Sequence, residues 1–320
     1  MQFSRQVIAE ELCEFEAYYK KTLTSSVPLL NHVLKYLEMQ KGKQMRPMFV
    51  LLCARLGGAA NEQSYRAALL VEMLHTASLV HDDMVDDSMQ RRGAFSVNAL
   101  WKNRIAVLTG DYLFSDGLIL SLSNGDNEIL RCYSNAIRVM IEAELLQMVK
   151  SKKIQVSEPD YYELINAKTA SFLAAACGAG AMSTFENKNL INTLHLFGEK
   201  TGMAFQLKDD LFDYGNADIG KPVGNDIKER KITLPLIYTL NTCDAPLRKK
   251  LINILKHHNT DKDCVEYLVK EVVKAGGMLY AQQKMYEYRD TALSLLHQFP
   301  HSDIRSALEE MVRYTTDRKF

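Results

Sequence analysis

The chain has 320 residues, of which 47% are hydrophobic and 24% are charged. Lys plus Arg and Asp plus Glu both total 39, so the formal net charge is zero. This balance argues against nucleic acid as a partner, because binding to a phosphate backbone needs an excess of basic residues. It also argues against a generally basic membrane-surface protein, although a local basic pocket remains compatible with it.

The six cysteines are scattered and include no C-x-x-C pair. That usage is typical of reduced thiols in a cytoplasmic protein, and not of a disulfide framework or a zinc site. The first twenty residues are too charged for a signal peptide. The longest uncharged run, residues 169–185, is shorter than the roughly 20 apolar residues that span a bilayer. We therefore expect a packed core helix there, and no transmembrane segment.

Helix-forming residues dominate the chain, and period-two alternation of β-branched residues is missing, which favours an all-α fold. Pro47 opens and Gly57 closes one predicted helix, and Ser157 is a predicted N-cap. No linker divides the chain, so we predict one domain over residues 1–320 with about a dozen helices. In chain order they are predicted at 5–24, 26–39, 46–58, 61–87, 96–123, 127–150, 158–184, 187–214, 233–241, 245–257, 261–276, 277–297 and from 302 onward.

The segment LVHDDMVDD places several carboxylates at the end of an apolar helix. Asp82 and Asp86 are four residues apart and share a helix face, with Asp83 beside them. Like charges at this spacing destabilise a helix, and the macrodipole disfavours negative charge at its C-terminal end. A bound hard cation would offset both effects.

A second segment, FQLKDDLFDY, repeats the D-D-x-x-D spacing at Asp209, Asp210 and Asp213, with Gln206 one turn earlier. Either motif alone is typical of a solvated acidic helix end, but the matched pair predicts facing walls of one cavity. The register of an EF-hand calcium loop is missing. Mg²⁺ prefers a few carboxylates together with substrate phosphates. The pair therefore predicts a phosphate or diphosphate ligand held through Mg²⁺.

Positive and hydrogen-bonding side chains accompany both motifs. Arg46 precedes a predicted helix N-terminus, which favours anions, and His75 lies one heptad, roughly 10 Å, before Asp82 on the same helix. Each such residue alone is typical of a solvated surface, and their joint placement predicts a diphosphate site in which arginines bind phosphate in a forked geometry. The set comprises Lys43, Arg46, His75, Arg91, Arg92, Lys168, Thr169, Lys221 and Lys231.

The ordered segments GKQMRP, EMLHTASLVHDDMVDDSMQRRG, GDYLF, EAELLQ, KTAS and FQLKDDLFDYGNADIGKPVGNDIKERKITLPLIY resemble the trans-isoprenyl diphosphate synthases, the polyprenyl synthetase family, over about residues 40–240. The resemblance implies an all-helical fold around a deep central cavity, a homodimer and an Mg²⁺ cofactor. It also implies isopentenyl diphosphate and an allylic diphosphate (farnesyl or geranylgeranyl) as substrates. Gln44, Ala143 and Arg230 depart from the usual pattern without touching a proposed charge contact.

The resemblance also implies a role for each matching residue. Isopentenyl diphosphate is expected on Lys43, Arg46, His75 and Arg92. The allylic diphosphate is expected on Arg91, Lys168, Lys221 and Lys231, beside Thr169 and Gln206. The catalytic set includes Asp82, Asp83, Asp86, Asp209 and Asp210, and the expected metal ligands are Asp82, Asp86, Asp209 and Asp213.

Product length is expected to depend on Ala77 and Ser78. Both lie about one turn, roughly 6 Å, below Asp82, and in this family small side chains there imply long all-trans products of about C35 to C50. Such products serve as precursors of quinone side chains. The cavity floor would then come from deeper residues such as Val71, Leu74, Phe114 or Met140. Close helix packing is the alternative reason for the small residues.

Several rival functions stay open from the sequence. A short- or medium-chain synthase making farnesyl or geranylgeranyl diphosphate would share both acidic motifs. A terpene cyclase has one such motif but no second diphosphate to bind, and a metal phosphohydrolase of the His-Asp type needs further histidines. A catalytically silent subunit of a heteromeric synthase typically loses aspartates that are present here.

Overall fold

Helices follow one another along nearly all of the chain that the computed structural model describes, namely residues 1–40, 42–150, 157–215 and 224–317. The elements are α1 (Gln2–Val7), α2 (Ala9–Thr22), α3 (Pro28–Met39), α4 (Met45–Gly57), α5 (Glu62–Val85), β1 (Gln90–Arg91), β2 (Ala94–Phe95), α6 (Val97–Ser123), α7 (Asn127–Lys150), α8 (Glu158–Ile165), α9 (Ser171–Met182), α10 (Lys188–Phe212), α11 (Asn225–Lys228), α12 (Leu234–Thr242), α13 (Ala245–His257), α14 (Lys262–Lys274), α15 (Gly277–Leu296) and α16 (Asp303–Asp317). The all-α prediction is confirmed.

Two predicted segments differ in detail from the structure. The single helix predicted at 5–24 is wrong, because the backbone breaks at Ile8 (φ −120°, ψ 35°), a side chain that is fully buried. The loop predicted between α5 and α6 forms the antiparallel hairpin of β1 and β2.

Side-chain caps explain where α5 and α8 begin. Asn61 and Ser64 form a reciprocal capping box at the start of α5. Ser157 and Asp160 do the same at α8, with Pro159 in the first turn, as the sequence predicts for Ser157. A π-helical turn, Asn166–Ala170, then joins α8 to α9. Such turns often occur at functional sites, and this one carries Lys168 and Thr169.

The described residues group into two compact units, and the prediction of one domain over residues 1–320 stays a prediction. Unit 1 comprises Met1–Ser134, Ala175–His195 and Phe299–Leu308. Within it α5 packs on α4 and α6. Two glycines of α6 allow the close approach of α5, since a Cβ on Gly110 would lie 2.1 Å from Nε2 of His81, and one on Gly117 would lie 2.9 Å from Cδ1 of Leu70.

Unit 2 comprises Asn135–Ala174, Leu196–Gln298 and the residues from Glu309 onward. Its apolar core includes buried side chains of α8, α10, α12, α14 and α15, such as Tyr161, Leu207 and Leu268. Helix α12 packs on α15, where a Cβ on Gly277 would meet the Pro235 carbonyl oxygen at 2.3 Å. This core fixes the elements that carry the second acidic motif.

Two apolar segments bear on the prediction that no helix spans a membrane. In the run predicted as a packed core helix, the side chains of Ala174 through Ala181 are buried. Among the described residues, α6 is long and apolar enough to cross a membrane by length and composition, with 33% of its most apolar window buried. Charged residues including Arg104 and Asp111 interrupt α6, and one side of it packs on α5.

Candidate functional site

Helix α5 carries one polar stripe through an otherwise buried sequence. Glu72, His75, Asp82 and Asp86 recur at intervals that bring them to one side of the helix. Asp82 lies in the last turn and Asp86 is the C-cap residue, and both are exposed. The predicted placement of two carboxylates at a helix C-terminus is therefore observed, together with its unfavourable interaction with the helix dipole.

Asp83, the middle residue of the first motif, is turned into the protein and is only 4% exposed. Nε of Arg91 donates to its Oδ1 at 2.8 Å, and Nη2 of Arg91 donates to the same oxygen. Arg91 stands in β1, so the ion pair ties the hairpin to α5. Both residues carry sequence-predicted substrate or catalytic roles, and the contact between them neutralises a buried carboxylate.

The cations predicted to bind isopentenyl diphosphate gather around His75. Nη1 of Arg46 lies 2.9 Å from Nε2 of His75. Burial holds the pKa of His75 well below its usual value, and the nearby charges of Arg46, Arg92 and Arg91 lower it further. A neutral imidazole accepts the hydrogen bond that Arg46 donates, which fixes the direction of that arginine.

Arg92 reaches the same cluster from the hairpin. Its φ is 54°, and its Nη1 donates to the Gln40 carbonyl oxygen at 2.9 Å. The guanidinium rests on Gly42, where a Cβ would lie 2.6 Å from the Arg92 Cζ. The adjacent Lys43 is exposed, and its carbonyl oxygen accepts a 2.7 Å hydrogen bond from Arg5 of α1. Three of the four predicted residues thus come together, with Lys43 on the adjoining loop.

In unit 2 the middle carboxylate of the second motif is held by neutral donors. The Tyr161 hydroxyl donates to Oδ2 of Asp210 at 2.6 Å, and Nε2 of Gln206 donates to Oδ1 at 2.8 Å. The Thr169 hydroxyl donates to Oε1 of Gln206 at 2.7 Å, which fixes the orientation of the amide. Burial raises the pKa of Asp210 to about 7, although the hydrogen bonds from Tyr161 and Gln206 oppose that rise.

The two outer aspartates of the second motif differ from each other. Asp209 is half-buried. The two carboxylate oxygens of Asp213 accept hydrogen bonds from the backbone N–H groups of Asn225 (2.7 Å) and Asp226 (3.1 Å). Asp213 therefore caps the start of α11, and its role as a metal ligand stays a prediction.

Two of the three remaining predicted cations, Lys168 and Lys231, have carboxylate neighbours. Lys168 forms an ion pair with Glu144 and lies 3.3 Å from Oε1 of Gln147. Lys231 forms an ion pair with Glu229 at 2.5 Å. Lys221, the third, lies outside the described residues. Their predicted contacts with the allylic diphosphate stay predictions.

The residues proposed to set product length lie on the buried side of α5. Ala77 is fully buried, and Ser78 is half-buried with its hydroxyl donating to the His75 carbonyl oxygen at 2.9 Å. Leu74 lies deeper, with Cδ2 3.9 Å from where a Cβ on Gly117 would stand. The Phe114 ring instead packs beside His81, with 5.9 Å between ring centroids. Phe114 therefore lies level with the acidic motif, and Leu74 is the better candidate for a floor residue.

Sequence reasoning missed two residues of these clusters. Glu72 is a buried carboxylate one turn before His75, and a charged residue inside the apolar run AALLVEMLH was the available signal. Tyr161 lies 49 residues from the aspartate that it contacts, and no local pattern connects the two.

The donor set fits a hard divalent cation. The outer carboxylates of the first motif offer only oxygen atoms, are exposed, and repel each other in the absence of a cation. Among the side chains that the structure describes, no three His, Cys, Asp or Glu residues form a metal site by themselves.

Comparison with known proteins identifies the class. The polyprenyl synthetase family model matches residues 27–272. The chain belongs to the polyprenyl synthetase family. It is accordingly a prenyltransferase, and the resemblance that the motifs indicated is confirmed.

Particular relatives are similar along their whole length. The octaprenyl diphosphate synthase of Escherichia coli (strain K12) is 31% identical over 98% of this chain and 97% of its own. A crystal structure of a decaprenyl diphosphate synthase from Rhodobacter capsulatus superimposes with a TM-score of 0.93, at 32% identity and 98% coverage of both chains. A geranylgeranyl pyrophosphate synthase from Bacteroides thetaiotaomicron has a TM-score of 0.83 and 34% identity, covering 99% of this chain and 98% of that one.

Proposed function

We propose that the protein is an all-trans polyprenyl diphosphate synthase, which condenses isopentenyl diphosphate head-to-tail onto an allylic diphosphate such as farnesyl or geranylgeranyl diphosphate. The observation that carries this proposal is the cation cluster of unit 1. Arg46 contacts His75 at 2.9 Å, and the charges of Arg46 and Arg92 both act on that histidine. His75 lies on the side of α5 that also carries Asp82. A protein that binds only one diphosphate through metal has no use for this second cationic group.

Mg²⁺ is the proposed cofactor. Its proposed ligands are Asp82 and Asp86 in unit 1 and, in unit 2, Asp209 with Asp213 as a further one. When bound, Mg²⁺ withdraws charge from the allylic diphosphate and so eases its departure. Asp82 and Asp86 supply the oxygen donors and anchor the substrate at the end of α5. Thr169 and Gln206 form a hydrogen-bonded chain that ends on Asp210. In the proposed reaction their oxygen atoms would stabilise the positive charge that develops on the allylic carbon.

The proposed reaction breaks the allylic C–O bond, and the diphosphate leaves with the electron pair. The double bond of isopentenyl diphosphate then attacks the allylic carbon, and the departing diphosphate accepts the proton lost next to the new bond. Arg46 and Arg92 hold the isopentenyl diphosphate during this step through forked hydrogen bonds. Exclusion of water is essential because a carbocation reacts with it.

The proposed products are long, in the range from heptaprenyl to decaprenyl diphosphate, and would serve as precursors of quinone side chains. Small side chains at positions 77 and 78 support this proposal, as does the similarity to octaprenyl and decaprenyl synthases. The similarity to a geranylgeranyl pyrophosphate synthase favours a shorter product as the second candidate.

Sizing the products decides between the two candidates. The purified protein is incubated with Mg²⁺, isopentenyl diphosphate and farnesyl diphosphate, and the dephosphorylated products are separated by reversed-phase chromatography. We expect chains of seven to ten isoprene units, and a product that ends at geranylgeranyl would support the second candidate. A cyclic hydrocarbon would overturn both.

Ala77→Phe sharpens this experiment. An aromatic ring one turn below Asp82 is expected to shorten the main product, because it would block the path of the growing tail. Ala68→Phe is the matched control, because Ala68 is equally buried on α5 but lies two turns further from the acidic motif than Ala77. Unchanged product length in Ala77→Phe would contradict the proposed path of the tail.

We further propose a homodimer that uses the exposed side of α6. Leu108, Leu118, Ile119 and Leu122 form an apolar stripe on that helix and are each 43–62% exposed. A second copy of the chain would cover the stripe. Ile119→Asp should shift the sedimentation coefficient to that of a monomer, while the control Leu279→Asp, at a 72% exposed leucine of α15, should not.

A further inference from the structure

Glu72 is a buried carboxylate that the proposed reaction does not use. Its side chain lies in the middle of α5 and is 5% exposed. Burial raises the pKa of Glu72, whereas the charges of Arg46 and Arg92 lower it and so favour the ionised form. The same charges act in the other direction, since Glu72 offsets part of the effect of burial on the pKa of Arg46.

The surroundings of Glu72 place it behind the cation cluster. With Arg92, Thr76 and Tyr19 it lines a small cleft. His75 is three residues further along α5, and its Nε2 lies 2.9 Å from Nη1 of Arg46. Glu72 therefore shares a cleft with Arg92 and lies one helix turn from the residue that Arg46 contacts.

A carboxylate in this position has an electrostatic cost for a diphosphate site. Its negative charge repels the substrate, so on charge alone its removal should tighten binding. Two arginines that cluster before substrate arrives also repel one another, and a buried arginine without a counter-charge is strongly unfavourable. The carboxylate therefore stabilises the cations in the positions that the substrate needs.

We propose that Glu72 is a positioning residue of the isopentenyl diphosphate site, which holds Arg46 and Arg92 in the orientation that binds the diphosphate. This inference rests on the proposed function. It assigns to Glu72 no contact with substrate and no proton transfer. Arginines that are already held in place bind the diphosphate more tightly than flexible ones, because flexible arginines would lose conformational freedom on binding. This gain outweighs the repulsion between the Glu72 carboxylate and the diphosphate.

The experiment is the isosteric change Glu72→Gln, measured in two ways. Steady-state kinetics with farnesyl diphosphate should give a KM for isopentenyl diphosphate raised about tenfold or more, with kcat and the KM for farnesyl diphosphate changed less than about threefold. Calorimetric titration with isopentenyl diphosphate in EDTA, without any reaction, should show the same weakening. Unchanged or tighter binding would overturn the proposal, because it is the result that charge alone predicts.

Asp126→Asn is the matched control. Asp126 is a 3% exposed carboxylate of the same unit, and it pairs with Arg66 at 2.6 Å through its Oδ2, away from the cluster. It should lower thermal stability while leaving the KM for isopentenyl diphosphate unchanged. An equal rise of KM in this control would show that any buried ion pair of unit 1 produces the effect, and it would overturn the positioning role.

Two further outcomes are decisive. If Glu72→Gln fails to fold, Glu72→Asp replaces it in the experiment. This variant retains the negative charge but moves it away from the arginines by the length of one methylene group. It should still raise the KM for isopentenyl diphosphate selectively. Wild-type affinity in a folded Glu72→Asp would then assign Glu72 to folding alone. If the wild-type protein forms no prenyl product, the proposed function fails, whereas product formation with an unaltered KM in Glu72→Gln refutes only this inference.

Discussion

The two acidic motifs have the same spacing, yet their middle residues are stabilised differently. In the first motif the buried carboxylate of Asp83 is neutralised by a cation, Arg91. In the second, the carboxylate of Asp210 accepts hydrogen bonds from neutral donors, the Tyr161 hydroxyl and the Gln206 amide, and burial raises its pKa to about 7. The outer residues differ as well, because Asp86 ends a helix in solvent and Asp213 caps one.

This difference shows that a motif's spacing determines which side chains share a helix face, and not what surrounds them. The first motif lies beside a hairpin that carries two arginines, and one of them, Arg91, contacts its buried carboxylate. The second lies in unit 2, where the predicted cations Lys168 and Lys231 are paired with glutamates. Its buried carboxylate is accommodated by neutral hydrogen bonds.

The largest expected effect is the loss of activity when an outer aspartate of either motif is removed. Asp82→Ala and Asp209→Ala should each lower kcat about a hundredfold or more, because removal of a metal ligand removes charge stabilisation where the allylic bond breaks. The measurement is the initial rate of incorporation of labelled isopentenyl diphosphate at saturating Mg²⁺.

An exposed carboxylate outside both motifs provides the control for this pair. Asp263→Ala, on α14, should retain the wild-type rate. Wild-type turnover in Asp82→Ala or Asp209→Ala would show that the metal assignment is wrong.

The middle residues can be compared directly by isosteric changes. Asp83→Asn should lower the free energy of unfolding by about 2 kcal/mol, since it leaves the charge of Arg91 without its partner, although the partial exposure of Arg91 limits the loss. Asp210→Asn should cost about 1 kcal/mol or less, because an amide retains an acceptor for one neutral donor. Urea unfolding in EDTA gives both values. Equal losses would contradict the distinction between ionic and neutral stabilisation.

The lowered pKa of His75 predicts that the stability of the protein depends on pH. Its pKa in the folded protein is depressed by burial and by three arginines, while the unfolded chain takes up a proton near pH 6.5. The stability from neutral His75 is therefore complete above that pH and is lost as the pH falls below it. Relative to His75→Gln, the wild type should lose stability as the pH falls from 7.5 to 5.5. Parallel curves for the two proteins in denaturant titrations would refute this assignment.

The smallest effect concerns the hydroxyl that holds Asp210. Tyr161→Phe should lower the free energy of unfolding by about 1 kcal/mol. It should also raise the KM for the allylic diphosphate several-fold, because Asp210 loses a fixed partner and then holds Gln206 less firmly. Tyr133→Phe removes a similarly buried hydroxyl, which donates to the Ala67 carbonyl oxygen at 3.1 Å. It should cost similar stability without a change of KM, and identical kinetics in the two variants would remove any special role of Tyr161.

Much of the fold was predictable because it follows from local patterns. Helical periodicity and caps such as Ser157 located most of the helices within a few residues. The break at Ile8 was not predictable, since no Gly or Pro marks it and tertiary packing buries the side chain there. The π-helical turn that carries Lys168 has no sequence signal either.

The residue types of the candidate site were predictable, and their partners were not. Spacing placed Asp82 and Asp86 on one face, and the neighbouring QRRG segment brought arginines close. By contrast, the pairing of Asp210 with Tyr161 depends on how two helices pack, and that information is spread over 49 residues. The use of Asp213 as a helix cap likewise depends on where the chain returns after residues outside the described ranges.

The contact between Arg92 and Gly42 joins the loop before α4 to the hairpin. The planar group of the arginine occupies the space that any β-carbon at position 42 would fill. Because that group is the flexible end of a side chain, a methyl group at position 42 would push it aside and leave the backbone in place. A relative with alanine at this position is therefore expected to keep the fold and to hold the arginine in a different orientation.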